Sequence, residues 1–306
     1  MNLSQNIDVV ENISPAEFKI KYFIPQKPVI IKGLTHNTPA QSKWSLNYFN
    51  KTVGHYNVEL YDNSNKKNEA TATTRPDLSM KFRDFINIIS TNERSTLRVF
   101  LFNMFKLKPE LKKEFPCPHL FKGLLDGVGH MFFAGNNTSV RMHYDIDMSN
   151  VLHTHFEGRK KVILVAPEYT NLLYKLPLNT YSLVDIGSPD YKKYPALRLI
   201  KGYNFILEPG DSLFMPSGYW HYMTYLEKGF SISYRKMALS PEKKIKGFAY
   251  LCLAMPLDKL LNAFMGDKWF NLKKRIADKR AYRIIEQEYL KTEKFSREET
   301  QEVNFV

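Results

Sequence analysis

The chain has 306 residues, 43% of them apolar and 25% charged, enough to bury a substantial core in one catalytic domain with helical additions. Its two cysteines, Cys117 and Cys252, lie too far apart to describe a disulfide framework, which excludes a disulfide-stapled class and points to free thiols in a reducing cytoplasm. The formal charge of +13 is spread, +4 in residues 241–306 and +9 in the first 240, so no basic arm or tail is set apart for nucleic acid.

Residues 1–17 are polar, with Asp8, Glu11 and Glu17 where a secretory signal needs an apolar core. A helix is expected next, then a strand at Pro28–Ile31, a short helix at 45–50 and a strand near 58–61. Residues 62–79 form a polar loop, read either as a lid or as a plain surface loop. A helix is placed at 80–89 and a strand at 97–102, followed by a proline-rich connection. Strands then fill residues 130–240, interrupted by a long excursion over 168–203 that is a reasonable place to bind substrate.

Within that strand-rich half lies His143-Tyr144-Asp145, and 76 positions after the aspartate comes His221. Alternation along a strand projects His143 and Asp145 together, and a ligand from a later strand completes a facial set of two histidines and one carboxylate. Such a set suits non-haem iron(II), with coordination positions left for a co-substrate and oxygen. His-x-Asp alone is a weak signal, and its surroundings strengthen it. Gly158-Arg159-Lys160-Lys161 turns into the apolar run Val162–Ala166, stopped by Pro167. Ahead of His221 come the turn Glu208-Pro209-Gly210-Asp211, a short apolar strand at 212–215 and a second turn at Pro216-Ser217-Gly218.

This order of motifs resembles the cupin-like branch of the Jumonji C-type 2-oxoglutarate oxygenases, to which an asparaginyl hydroxylase belongs. The likeness covers residues 15–240 and includes the opening Tyr22-Phe23-Ile24-Pro25 followed by Pro28-Val29-Ile30-Ile31-Lys32-Gly33. It implies a mainly β fold with α additions: a double-stranded β-helix, or jelly-roll barrel, with N-terminal α/β elements and a C-terminal helical tail. The catalytic domain would span 1–240, with its barrel core at about 130–240, and the tail 241–306. Carried over by position, His143, Asp145 and His221 ligate iron(II), and Lys160 pairs with the distal carboxylate of 2-oxoglutarate. A compact cation on a neighbouring strand suits that carboxylate.

Two positions depart from the family pattern. A threonine that helps hold 2-oxoglutarate is expected three residues before the first iron-ligating histidine, and Val140 stands there. Alternation from His143 turns Ser139 and Arg141 inward, to replace the hydroxyl or to meet substrate. Where some relatives have an asparagine near the end of the last strand, this chain has Arg235, which either shares the carboxylate with Lys160 or decorates the rim. His153 and His155 form a second His-x-His pair, read as pocket-lining rather than as primary ligands. The remaining His36, His55, His119 and His130 are read as surface or structural.

Beyond Tyr234 the apolar residues recur at helical spacing: Ile245, Phe248, Leu251, Cys252 and Met255, then Leu257, Leu260, Leu261 and Phe264, then Trp269, Phe270, Leu272 and Ile276. The longest uncharged apolar stretch, 247–257, has 11 residues and contains Pro256, too short to span a bilayer. The resemblance makes this tail a homodimerisation element, and the segment from Glu293 onward is expected to be mobile.

The family implies oxidative decarboxylation of 2-oxoglutarate coupled to hydroxylation of an unactivated C–H bond. The expected target is an amino-acid side chain in a protein or peptide, with a free small molecule as the other class. Nucleic acid is not an expected partner, since no aromatic-basic recognition motif stands out. A non-catalytic cupin-like metal- or ligand-binding protein is the alternative; Val140 and Arg235 favour it and the intact triad opposes it. Histone demethylation is the weaker third reading, because no zinc-finger-like cysteine clusters accompany the barrel.

Overall fold

Inward and outward residues alternate along eight strands in the middle of the chain, and that alternation closes them into a barrel. The computed structural model describes residues 1–62, 75–91, 95–123 and 128–303, with side chains as far as Leu290. Its N-terminal strands are β1 (Asn2–Gln5), β2 (Asp8–Glu11), β3 (Val29–Lys32), β4 (Asn57–Asp62), β5 (Leu78–Lys81) and β6 (Leu97–Phe102). The barrel strands are β7 (Gly129–Ala134), β8 (Ser139–His143), β9 (Asn150–Glu157), β10 (Lys160–Val165), β11 (Lys201–Leu207), β12 (Ser212–Met215), β13 (Trp220–Tyr225) and β14 (Gly229–Lys236). Short helices α1 (Pro15–Phe18), α2 (Pro39–Lys43), α3 (Leu46–Val53), α4 (Phe82–Ser90), α5 (Met104–Leu107) and α6 (Leu111–Glu114) precede the barrel. Following it come α7 (Pro241–Ala249), α8 (Met255–Met265) and α9 (Asp267–Val303).

The smaller sheet runs β1-β11-β10-β13-β8 and the larger β2-β3-β12-β9-β14-β7-β6-β4-β5. Within them β7 to β14 give the two four-stranded layers of a jelly roll, as expected from the motifs. Register fixes which residues face the interior. His153 lies opposite Ser233 and Leu213, His155 opposite Ser231, Lys160 opposite Tyr225, and Leu164 opposite His221.

Each sheet also buries its outer face. Ser45 caps α3 by accepting from Tyr48 N, and the helix turns Leu46, Phe49 and Val53 inward at a spacing of three and four. Phe49 meets Phe133 and Phe230 of the larger sheet edge-on, at 5.7 and 5.1 Å between ring centroids. Such a fully buried ring contributes on the order of 1.5–3 kcal/mol through transfer from water. Outside the smaller sheet, Trp220 and Val165 pack with Leu173, Tyr174 and Leu197 of the long excursion and with Ala277 and Ala281 of α9.

Two differences from the sequence reading have physical causes. β1 and β2, in a segment too short to show periodicity, are held by parallel pairing with β11 and β3 rather than by their own pattern. Pro256 does not end its helix: a π turn at Tyr250–Ala254 shifts the bonding register just before it. The resulting run Pro241–Met265 is long and apolar enough to cross a membrane by length and composition, and almost none of it is buried. Asp258 within it pairs with Lys273 of α9 at 2.8 Å, both fully buried, and Trp269 Nε1 donates to the same carboxylate oxygen at 2.9 Å. The α9 backbone is helical to Val303. The expected lid falls largely on residues 63–74, which lie outside the described ones.

Candidate metal centre

β8 ends at His143, and the turn that follows delivers Asp145. Met148 N donates to Asp145 O at 3.0 Å, with Met148 itself in the left-handed region at φ 54°. His221 comes from β13, directly opposite His143 in the ladder. The three ligand atoms all lie within 4.8 Å of one another. Each imidazole is oriented by a main-chain carbonyl: Nδ1 of His143 is 2.7 Å from Arg141 O, and Nδ1 of His221 is 3.2 Å from Tyr219 O. Donation from Nδ1 leaves Nε2 with its lone pair facing the carboxylate, the tautomer a metal requires.

Electrostatics prepare the same state. Burial, reinforced by His221, pushes His143 down to about 3, and burial lowers His221 against the pull of Asp145. Burial alone would raise Asp145, but Arg235 and the two histidines hold it below the usual carboxylate range. Two neutral imidazoles and one ionised carboxylate on one face are the donor set of a non-haem iron(II) site, and these residues fit that metal.

Lys160 opens β10 and is 1% exposed. Its Nζ donates to Ser231 Oγ at 2.5 Å, lies 3.1 Å from His153 Nε2 and stands 4.0 Å above the Tyr225 ring. No carboxylate among the described residues forms an ion pair with it, and burial holds its pKa well below the usual lysine value. His153 is bonded on its other side to Ser233 Oγ at 2.7 Å, and His155 joins Ser231 Oγ at 2.8 Å and Gly158 O at 3.0 Å. Both are therefore bonded into the wall behind the lysine rather than into the ligand trio, and His153 also lines the cavity.

Ser139 and Arg141 are not where simple alternation puts them. His143 pairs with His221, but Val140 pairs with Met223, so Arg141 and Met142 together face Tyr222 alone. This bulge flips the phase of the strand and turns Val140 into the cavity together with His143. Arg141 stands 4.9 Å over the Tyr181 ring and donates to Ser182 O at 3.3 Å. Arg235 is placed on the metal trio itself: its Nη2 donates to Asp145 Oδ1 at 3.0 Å and its Nη1 to Asp147 Oδ1 and Ser149 Oγ, each at 3.0 Å.

The trio and Lys160 share a cavity of about 530 Å³. Its rim carries Tyr61, Phe100, Leu101, Tyr181 and Leu251. Arg98 and His130 also line it, and neither was assigned to the site from the sequence. Arg98, a single cation in the apolar strand Leu97–Phe102, was visible as an oddity of composition; it lies 4.7 Å from the Phe100 ring. His130, read as surface or structural, faces inward because β7 pairs it with Ser233.

The cupin-like domain family matches residues 15–236. The chain is 29% identical over 245 residues to lysine-specific demethylase 8 of Danio rerio, covering 76% of this chain and 59% of that protein. It is 29% identical over 251 residues to Jumonji C domain-containing protein 5 of Drosophila melanogaster, with 76% and 60% covered. Against tRNA wybutosine-synthesizing protein 5 of Gallus gallus, identity is 26% over 245 residues, with 73% and 74% covered. The chain thus spans about three-fifths of the length of the first two relatives.

Proposed function

Because the chain belongs to the cupin-like domain family, we propose that it is an iron(II)- and 2-oxoglutarate-dependent oxygenase that hydroxylates an amino-acid side chain in a protein or peptide. One observation carries the reading: a buried lysine with no carboxylate partner among the described residues shares a cavity with a neutral-imidazole, ionised-carboxylate ligand set. A dicarboxylate that chelates a metal through its keto-acid end needs a cation for its far end, and Lys160 answers that need. His143, Asp145 and His221 would hold the iron. When bound, iron with 2-oxoglutarate supplies an oxidant able to attack an unactivated C–H bond.

The protein's own residues do the rest. Lys160, Ser231 and Tyr225 seat the dicarboxylate, and Arg235 keeps Asp145 ionised and aimed. Val162, Leu164 and Met223 keep water from the inner wall. Relatives named for lysine demethylation and for tRNA wybutosine synthesis keep both a protein and an RNA target within the family's range. A peptide is favoured here by the apolar rim.

The outward face of α7 and α8 is taken to be covered by a second copy of the chain, since Ile245, Phe248, Leu260 and Phe264 are 69%, 68%, 53% and 81% exposed. The test of the activity is succinate release in the presence of iron(II) and 2-oxoglutarate, followed by a search for +16 mass shifts in co-purified peptides. Wild-type turnover that His221→Ala abolishes supports it. A chain that binds the metal yet never consumes 2-oxoglutarate is instead a binding protein.

A further inference from the structure

The helix that leaves the barrel does not simply trail away; α7 and the π turn behind it touch every segment that carries a metal ligand. Gly247 packs against the Asp145–Met148 turn so closely that a Cβ there would lie 2.4 Å from Asp147 O. Only a residue without a side chain allows that approach. One turn earlier, Lys243 Nζ donates to Ser217 O at 2.9 Å, in the turn that leads into His221. Ser217 is fully buried and ties the two turns together: its Oγ donates to Met148 O at 2.5 Å, and its N donates to Asn150 Oδ1 at 3.0 Å. Tyr250 completes the set. Its hydroxyl accepts from Tyr144 OH at 2.9 Å, and Tyr144 sits between His143 and Asp145 while packing edge-on against Trp220 at 4.8 Å.

These contacts converge on the carboxylate ligand. Asp147, against which Gly247 rests, accepts from Arg235 at 3.0 and 3.3 Å, and the other nitrogen of that guanidinium holds Asp145. The start of α7 is itself fixed by the Ser240 cap and Pro241 in its first turn. Its inward side is polar or glycine while Ile245 and Phe248 point outward, so packing of an apolar face does not account for where it docks.

We propose that α7 is a positioning element of the metal site, in which Gly247, Lys243 and Tyr250 hold the Asp145 turn and the His221 turn at ligand distance from each other. The inference rests on the metal reading above and adds to it a dependence of metal retention on residues outside the barrel.

The test uses the full-length protein, with cobalt(II) as the probe and hydrogen exchange of the metal-free chain as a second readout. Gly247→Ala is expected to weaken cobalt(II) binding about tenfold or more, the range seen when outer-shell support is lost. It should also alter the visible cobalt spectrum. In the metal-free chain, amides of 145–149 and 216–221 should exchange faster, while those of β10 and β11 keep their protection. A general loss of stability would raise exchange throughout. If Gly247→Ala fails to fold, Lys243→Met and Tyr250→Phe each remove one contact from the edge of the same clamp. Both should loosen the two turns, with Lys243→Arg restoring them. Unchanged exchange in both turns overturns the proposal whether or not metal binds. A wild-type chain that takes up no cobalt(II) overturns the metal reading instead, and the exchange data still decide the clamp.

Discussion

Two walls of one barrel interior are built on the same pleat and filled in opposite ways. On β10, β11 and β12 the inward positions hold Val162, Leu164, Leu207, Leu213 and Met215, a close-packed apolar core with Lys160 at its edge. On β9 and β14 they hold the buried His153, His155, Ser231 and Ser233 and the half-buried Arg235, joined to one another or to Lys160 and Asp145. The first wall stabilises the fold by removing apolar surface from water. The second is a costly way to fill a barrel, since a buried polar network is tolerable only when each member is bonded. The apolar wall stabilises the fold, whereas the polar wall supports the residues of the proposed site: Arg235 bonds Asp145, and Ser231 and His153 contact Lys160.

The comparison can be broken first at the metal. His143→Ala or His221→Ala should abolish one-site iron(II) binding in an anaerobic titration; full affinity in both variants removes the metal site that the polar wall supports. Next in size is the apolar wall, where Leu164→Ala should destabilise the protein by about 2–5 kcal/mol in chemical denaturation. If the leucine wall is only scaffold, the same variant keeps its metal site once folded.

Lys160 sharpens the contrast with a change of sign. An unfolded lysine titrates near 10.5, and burial holds this one well below that. Beneath the folded value both states are charged and the folded state bears the burial cost. Between the folded value and 10.5 the unfolded chain binds more protons, so this residue's contribution to stability rises with pH through that window. Lys160→Met should therefore raise ligand-free stability at pH 7 by about 1–3 kcal/mol and flatten that slope. Thermal melts of both proteins at pH 7 and pH 10 measure it, and a destabilised methionine variant contradicts the account. The smallest effect is expected at Ser233→Ala, which takes one partner from His153 and should cost about 1 kcal/mol in denaturation.

Much of this was legible in the residues. Strand alternation and turn chemistry, which are local, marked His143, Asp145 and His221 as a candidate ligand set, and the order of motifs carried the family resemblance that implied the barrel and the role of Lys160. What was not legible depended on register or distant pairing. A one-residue bulge in β8 exchanged Val140 for its neighbours, and no local pattern marks such a bulge. Arg235 meets Asp147 across 88 positions, so its partnership could not be read from either segment. His130 and Arg98 needed the strand order before they could be placed in the cavity. The need for glycine at 247 shows only once the Asp147 carbonyl is placed against it.

The proposal that the cavity is a paired site for a metal and a dicarboxylate, backed by the polar wall, is best tested by anaerobic calorimetry of 2-oxoglutarate binding to the manganese(II)-loaded protein. Binding should be one to one, should require the metal, and should weaken about 10- to 100-fold in Lys160→Met, matching a lost charge-assisted contact. Equal affinity in wild type and Lys160→Met, or binding that is indifferent to the metal, would contradict it.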